Sequence, residues 1–183
     1  MEPDPYVRVR ARELYRNPWL TVEAHEIVHP NGVPGEHVLV VIPKASAVVV
    51  EDGGDLLFTR QARFGARRSV IEIVKGGGDP GESALECAQR ELREELGVVA
   101  REWRELGQLY EIPSIVSEPI ALFLARGITI DAADPELIES IDLVRMPIGE
   151  AIDAASNGAI DDGITVAALF RYASVEGLLR KPS

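Results

Sequence analysis

The chain has only one cysteine, Cys87, among its 183 residues. An internal disulfide is therefore impossible, and a reducing compartment is consistent with this composition. The sequence also has no apolar run near the length of a membrane span, and its first residues lack a basic start followed by an apolar stretch. These absences predict a cytoplasmic protein with no membrane partner.

Basic residues are scarce relative to acidic ones. The chain has 19 Lys and Arg against 30 Asp and Glu, which gives a net charge of −11. Binding to nucleic acid depends largely on clustered Lys and Arg, so this balance argues against a nucleic-acid partner. The three histidines, His25, His29 and His37, have no metal-ligand spacing to a cysteine pair and are expected to be surface or structural residues.

The pattern of apolar residues and turn signals predicts the α/β class. With 46% apolar and 27% charged residues, the chain fits one globular domain with a small appendage. The patterns predict strands over residues 20–28, 37–42, 47–51, 56–61, 70–74, 105–111, 120–125 and 141–146, and helices over residues 83–97, 148–156 and 165–179. Mixed strands with helices on both faces pack naturally as an α/β/α sandwich, preceded by an N-terminal antiparallel hairpin.

Three glutamates crowd the C-terminal half of the first predicted helix. Glu91, Glu94 and Glu95 lie where the helix dipole favours cations. Their i,i+3 and i,i+4 pairings are like-charged and unfavourable by about a few tenths of a kcal/mol each. They flank the apolar stripe that the helical period predicts, which consists of Leu85, Ala88, Leu92 and Leu96.

Two interpretations of this ridge of carboxylates follow from the residues. It is a solvated acidic face with Arg90 and Arg93 as local partners, or it is a site for a hard divalent cation, because Mg²⁺ is bound by a few carboxylates, water and substrate phosphates. The loop before the helix adds four glycines, which let the backbone approach a ligand closely: Gly76, Gly77, Gly78 and Gly81.

The joint spacing of loop and helix resembles the Nudix box. The pattern is Gly, five residues, Glu, seven residues, Arg-Glu, an aliphatic residue, any residue, Glu-Glu, any residue, Gly and an aliphatic residue. Every fixed position is filled here, by Gly76, Glu82, Arg90, Glu91, Leu92, Glu94, Glu95, Gly97 and Val98.

The resemblance implies a pyrophosphatase that uses Mg²⁺ or Mn²⁺ to cleave a nucleoside diphosphate linked to another moiety. By the same resemblance, Glu91 and Glu95 bind metal, and Glu94 binds metal or helps to activate water. The backbone carbonyl of Lys75 joins the coordination. Two further members of the implied catalytic set, Glu82 and Arg90, mainly orient the loop and helix.

The resemblance extends over residues 15–180 toward the ADP-ribose pyrophosphatases and related ADP-compound hydrolases. Pro113 follows Gly97 by sixteen residues, where that subfamily has a proline that marks the substrate loop. Glu118 matches the loop glutamate that serves there as catalytic base or extra metal ligand.

The run from Leu57 to Arg63 resembles the subfamily strand whose final arginine contacts substrate phosphate, although Ala62 replaces its aromatic residue. Arg63 is the first candidate for phosphate binding and Arg60 the second. The subfamily has Glu-Leu-Pro-Ala-Gly before the box, whereas residues 72–76 here are Glu-Ile-Val-Lys-Gly. The proline is missing, and Lys75 in place of alanine is more similar to dinucleotide and ADP-compound hydrolases.

These observations lead to the hypothesis of a metal-dependent hydrolase of ADP-ribose or a similar ADP-linked compound. A GDP-sugar, NADH or a dinucleoside polyphosphate stays open as the substrate, and so does a regulator that binds nucleotides without hydrolysis. Residues 1–44 form the hairpin region and 45–183 the catalytic domain. The hairpin is expected to mediate a homodimer, and Tyr15 and Trp19 either stack on a base or pack within the fold.

Overall fold

A computed structural model describes residues 4–130 and 141–179. These residues form two compact units. The first comprises residues 4–44 with 110–119, and the second comprises residues 45–109 with 120–130 and 141–179. None of the helices in these described ranges is long and apolar enough to cross a membrane.

The first unit is built on a three-stranded antiparallel sheet. Its strands are β1 (Val7–Arg16), β2 (Thr21–Val28) and β3 (Pro34–Val41), in that order across the sheet. The predicted hairpin is present as β2 and β3, and Gly32 takes a positive φ of 82° in the turn between them. The third strand, β1, was not predicted. All ten of its residues are exposed, so it leaves no burial pattern in the sequence.

The second unit contains a seven-stranded mixed sheet. Strands β5, β4, β9 and β8 lie side by side in that order with β10 beyond β5, while β6 pairs with β5 and β7 with β4. The pair β4–β9 is parallel and the other pairs are antiparallel. The strands are β4 (Ala45–Asp52), β5 (Asp55–Arg63), β6 (Arg68–Glu72), β7 (Val74–Gly77), β8 (Val98–Leu109), β9 (Ile120–Ile130) and β10 (Asp142–Pro147).

Helices cover both faces of this sheet. The three helices are α1 (Ala84–Leu96), α2 (Ile148–Asn157) and α3 (Gly163–Val175). Alternate residues of β4 join different cores: Ala47 and Val49 pack with α2 and α3, whereas Val48 and Val50 pack with α1. Because successive side chains of a strand point to opposite faces, the two cores lie on opposite sides of the sheet. The α/β/α sandwich is confirmed.

Several element boundaries differ from the predicted ones. The strand predicted over residues 70–74 is divided at Ile73 into β6 and β7, which have different partners. Strand β8 begins at Val98 rather than at residue 105, and α3 ends at Val175 rather than at residue 179. The early end of α3 is followed by Gly177, whose φ of 69° is left-handed and incompatible with a continuing helix.

Candidate active site

Helix α1 begins directly after the glycine-rich loop, and a capping box closes its first turn. The Ser83 hydroxyl accepts a hydrogen bond from the Glu86 amide at 3.2 Å, and the Glu86 carboxylate accepts one from the Ser83 amide at 2.8 Å. These bonds satisfy amides that the helix itself leaves without acceptors. At the other end Gly97 is left-handed, with a φ of 63°, and ends the helix. The helix is therefore fixed at both ends.

The buried face of α1 differs from the predicted stripe at one position. Leu85 was predicted to be buried but is 37% exposed, and Cys87 is buried instead. The Cys87 thiol donates to the Gly76 carbonyl, with 3.5 Å between sulfur and oxygen. Burial raises the pKa of this thiol. The residues buried on this face are Cys87, Ala88, Leu92 and Leu96.

Arg90 forms hydrogen bonds with several glutamates of the site. Its Nε and Nη2 donate to the two Glu82 oxygens at 3.0 and 3.1 Å, and Nη1 donates to Glu91 Oε1 and Glu94 Oε2, each at 2.8 Å. Nη2 also donates to the Gly77 carbonyl at 2.8 Å. The bond to Glu82, followed by those to Glu91 and Glu94, raises the pKa of Arg90 above its ordinary value. One guanidinium thus offsets the repulsion within the ridge and ties it to the loop.

Glu82 connects Arg90 to the loop backbone. Its Oε2 accepts a hydrogen bond from the Asp79 amide at 2.8 Å, and the Glu82 amide donates to the Asp79 carbonyl at 3.0 Å. The bonds from Arg90 and from the Asp79 amide lower the pKa of Glu82. Glu82 is therefore ionised near neutral pH, and it holds the loop and Arg90 together.

Gly76 lies against the carboxylate of Glu91. It belongs to β7, opposite Ser46 of β4, and a Cβ placed on it would overlap the carboxyl group of Glu91. Only glycine leaves room for this contact. The first glycine of the pattern therefore lets the strand backbone approach Glu91, which is a glutamate of the same site.

The two arginines of β5 are in different environments. Arg63 donates from Nε and Nη2 to Glu72 at 2.8 and 2.9 Å, and the Lys75 amine contacts the same carboxylate. Glu72 is 1% exposed, and burial alone would raise its pKa. The hydrogen bonds from Arg63 and Lys75 outweigh burial and lower it. Arg60 is exposed on the same strand.

Pro113 and Glu118 lie in residues 110–119, which belong to the first unit. This segment is bonded to β3, where the Val40 amide donates to the Ile115 carbonyl at 2.8 Å. Pro113 lines a cavity together with Tyr6, His25 and His37, whereas Glu118 is half-buried.

Comparison with known proteins identifies the family. Residues 41–163 match the NUDIX domain, and residues 8–40 match the N-terminal domain of nucleoside diphosphate sugar hydrolases. The chain belongs to the NUDIX family. This membership confirms the predicted resemblance and makes the chain a Nudix hydrolase, in which residues 76–98 form the box.

Three curated relatives match most of this Nudix hydrolase. An ADP-ribose pyrophosphatase of Bacillus subtilis is 24% identical over 88% of this chain and 89% of its own length. The ADP compounds hydrolase NudE of Escherichia coli is 28% identical over 85% and 84%. A GDP-mannose pyrophosphatase of Yersinia enterocolitica is 26% identical over 94% and 96%.

A solved structure has the same fold. The crystal structure of an ADP compounds hydrolase superposes with a TM-score of 0.83, at 24% identity, over 98% of this chain and 100% of the other. At this level of identity the likeness concerns the fold.

Nudix hydrolases generally need a divalent metal, and the donor set of the box fits one. Carboxylates and backbone carbonyls are the ligands that hard divalent cations take, and Gly76 leaves space for Glu91 beside the strand backbone. Within residues 4–130 and 141–179, no three His, Cys, Asp or Glu side chains converge on one point as ligands. Arg90 bridges Glu91 and Glu94 in this arrangement.

The structure thus brings together much of the predicted site and adds residues that the sequence did not indicate. Glu82, Arg90, Glu91 and Glu94 form one bonded cluster, and Glu95 lies on the same helix. The additional residues are Glu72, which is bonded to Arg63 and Lys75, and Asp162 and Thr165, which are bonded to Lys75 and to the Ile73 amide. The sequence places Glu72 just before the box but gives no signal of its burial or of its bonds to Arg63 and Lys75.

Proposed function

We propose that this Nudix hydrolase is a Mg²⁺- or Mn²⁺-dependent pyrophosphohydrolase of ADP-ribose or a related ADP-linked compound. The products would be AMP and a phosphorylated moiety, which for ADP-ribose is ribose 5-phosphate. The relatives that act on ADP-ribose and on ADP compounds support this substrate class. The proposal also assigns the chain to the cytoplasm, in keeping with its single buried cysteine.

The observation that carries the proposal is the position of Glu91. It lies against the Gly76 backbone and is bridged through Arg90 to Glu94 and Glu82. A pyrophosphate resists nucleophilic attack because its oxygens are anionic. Carboxylates held on one rigid helix, beside backbone that only glycine can provide, suit the binding of cations that offset this charge.

In the proposed reaction, water attacks one phosphorus of the pyrophosphate and the bond to the bridging oxygen breaks. A divalent cation held at this site would neutralise charge and lower the pKa of the attacking water. Glu91, Glu94, Glu95 and the carbonyl of Lys75 would hold it. Glu118 or Glu94 accepts the proton of the water, while Glu82 and Arg90 keep the loop and helix in place.

The β5 arginines are proposed to bind the substrate phosphates. Arg63 is the first choice because Glu72 fixes its guanidinium from one side while 38% of the side chain stays exposed. Arg60 is the second. If Arg63 binds phosphate, Arg63→Lys should raise KM more than it lowers kcat, because lysine loses the planar two-point geometry, and Arg60→Lys should change KM less.

A hydrolysis panel tests the proposed function. The full chain is incubated with Mg²⁺ and ADP-ribose, GDP-mannose, NADH or diadenosine polyphosphates, and the products are separated chromatographically. AMP should appear fastest from ADP-ribose, and a chelator should stop the reaction. Faster cleavage of another compound would refute the ADP-ribose assignment.

Variants of the helix glutamates test the site itself. Glu94→Gln and Glu95→Gln should each lower kcat by more than about 100-fold, since loss of groups that only orient metal ligands already costs about 10- to 100-fold. Glu105→Gln is the matched control, because Glu105 is an exposed glutamate of β8. Unchanged turnover of the Glu94 and Glu95 variants at saturating Mg²⁺ would refute the assignment.

A GDP-sugar is the second candidate substrate, favoured by the GDP-mannose pyrophosphatase relative. The panel separates it directly, because GMP rather than AMP would be the nucleotide product. A regulator without hydrolytic activity would bind ADP-ribose in calorimetry and yield no product. We further propose a homodimer formed through residues 1–44, and no nucleic-acid or membrane partner.

A further inference from the structure

The strand before the box changes partner at Ile73. Strand β6 pairs with β5 up to Glu72, and β7 pairs with β4 from Val74. The Ile73 amide donates to the Thr165 hydroxyl of α3, with 3.0 Å between nitrogen and oxygen. Thr165 is fully buried. A helix 92 residues further along the chain therefore provides the acceptor at the point where the sheet divides.

Asp162 fixes the orientation of that hydroxyl. Its Oδ2 accepts the Thr165 hydroxyl at 2.7 Å and the Thr165 amide at 2.9 Å, and Asp162 is the N-cap of α3. A hydroxyl has one proton to donate. Because Thr165 gives that proton to Asp162, its lone pairs are directed to the Ile73 amide, and the three residues form one oriented chain of hydrogen bonds.

Lys75 makes a second link between β7 and the start of α3. Its amine lies 3.2 Å from Asp162 Oδ2 and also contacts Glu72, and its side chain is 16% exposed. The strand is thus anchored to α3 at Ile73 and at Lys75. The next residue is Gly76, which lies against the Glu91 carboxylate without room for a methyl group.

We propose that Asp162 and Thr165 are positioning residues for the active site. They hold the backbone from Ile73 to Gly76 at the distance from Glu91 at which the Lys75 carbonyl and the Glu91 carboxylate bind one cation. This inference rests on the proposed function, since it takes those two groups as ligands. Neither residue belongs to the box, and a displacement of about 1 Å in such a site can cost about 100-fold in rate.

The test measures Mn²⁺ binding to the full chain by electron paramagnetic resonance, beside kcat and KM. Thr165→Val keeps the shape of the side chain and removes the acceptor of the Ile73 amide. We expect about 10-fold or weaker Mn²⁺ affinity and a lower kcat, the range that loss of ligand-orienting groups produces. Thr165→Ser restores the hydroxyl and should bind Mn²⁺ as the wild type does.

Asp162→Asn provides an independent variant. Asparagine caps a helix as well as aspartate does, so α3 keeps its first turn while the charge that faces Lys75 is lost. The variant should also weaken Mn²⁺ binding, and it decides the question if Thr165→Val does not fold. A role in stability alone would lower the thermal midpoint of either variant and leave Mn²⁺ affinity unchanged, which would overturn the proposal.

Glu91→Gln distinguishes this inference from the proposed function. If Glu91→Gln loses Mn²⁺ binding while Thr165→Val and Asp162→Asn retain it, the metal site stands and the positioning role is wrong. If Glu91→Gln binds Mn²⁺ as the wild type does, the metal site itself is wrong, and the positioning role is refuted with it.

Discussion

At the scale of single residues, the site depends on glycine at position 76 as much as on its glutamates. The Glu91 carboxylate occupies the space that a Cβ of Gly76 would fill. Interiors are packed so closely that one added carbon must displace its neighbour. Here the neighbour is the carboxyl group of a proposed metal ligand, so the displacement would act on the site directly.

Gly76→Ala should therefore impair metal binding. The added methyl group pushes Glu91 away from the strand, and we expect Mn²⁺ affinity and kcat/KM to fall by about 10- to 100-fold. Gly65→Ala is the control, because a Cβ at Gly65 meets no atom within 4 Å. Circular dichroism verifies that both variants are folded. Wild-type affinity in Gly76→Ala would show that the contact is not required.

Glu72 is a buried charge whose ionisation the fold stabilises. Arg63 and Lys75 lower its pKa in spite of burial. A carboxyl group whose pKa is lower in the folded state stabilises the protein above its unfolded-state pKa, which is about 4.3 for glutamate, and this stabilisation is lost as the pH falls through the folded-state pKa.

Glu72→Gln should consequently change how stability depends on pH. The variant leaves two cations beside a neutral amide, so its free energy of unfolding should be lower than that of the wild type at pH 7. The difference between the two proteins should shrink as the pH falls below about 4.3. Urea unfolding at a series of pH values measures it, and a difference that stays constant down to pH 2 would contradict the pKa assignment.

At the scale of elements, the sequence predicted the strands and helices that are marked by residues close together in the chain. The hairpin β2–β3, the pair β4–β5 and helix α1 have periodic apolar residues bounded by turn signals or caps. The division at Ile73 has no local signal, because the acceptor of the Ile73 amide is the hydroxyl of Thr165 in α3. Strand β1 was missed because a fully exposed strand carries no pattern of burial.

The residues of the candidate site also fall into predicted and missed groups. The box residues were predicted from their spacing, and the cluster centred on Arg90 brings four of them together. Asp162 and Thr165 were missed because they contact a segment about 90 residues earlier in the chain. Glu72 was missed because its burial and its bonds to Arg63 and Lys75 leave no local pattern. Leu85 was assigned to the buried stripe because a helical period fixes a face only to within about one residue.

The capping box of α1 should contribute measurably to stability. Ser83→Ala removes the acceptor of the Glu86 amide and should lower the free energy of unfolding by about 1 kcal/mol. Ser174→Ala is the control, because Ser174 is exposed within α3 and alanine is the better helix former. Denaturant titration compares the two variants, and equal stability would show that the cap is not needed.

At the scale of the whole molecule, charge is unevenly distributed. The chain has a net charge of −11, yet the exposed edge strand β1 has four arginines: Arg8, Arg10, Arg12 and Arg16. Val7 and Val9 of the same strand are each 63% exposed to solvent. An exposed edge strand is a template for pairing with another chain, and a basic strand is complementary to the acidic surface of a second copy.

The proposed homodimer should therefore depend on β1. Light scattering during size-exclusion chromatography should give about twice the 19.9 kDa of one chain. The double variant Val7→Glu/Val9→Glu should shift the mass toward one chain, because negative charges added to β1 repel the acidic surface of the second copy. Val99→Glu is the matched control, because Val99 is an exposed valine on β8 of the second unit. A wild-type chain that elutes as a monomer would refute the dimer, and a double variant that remains dimeric would place the interface elsewhere than on β1.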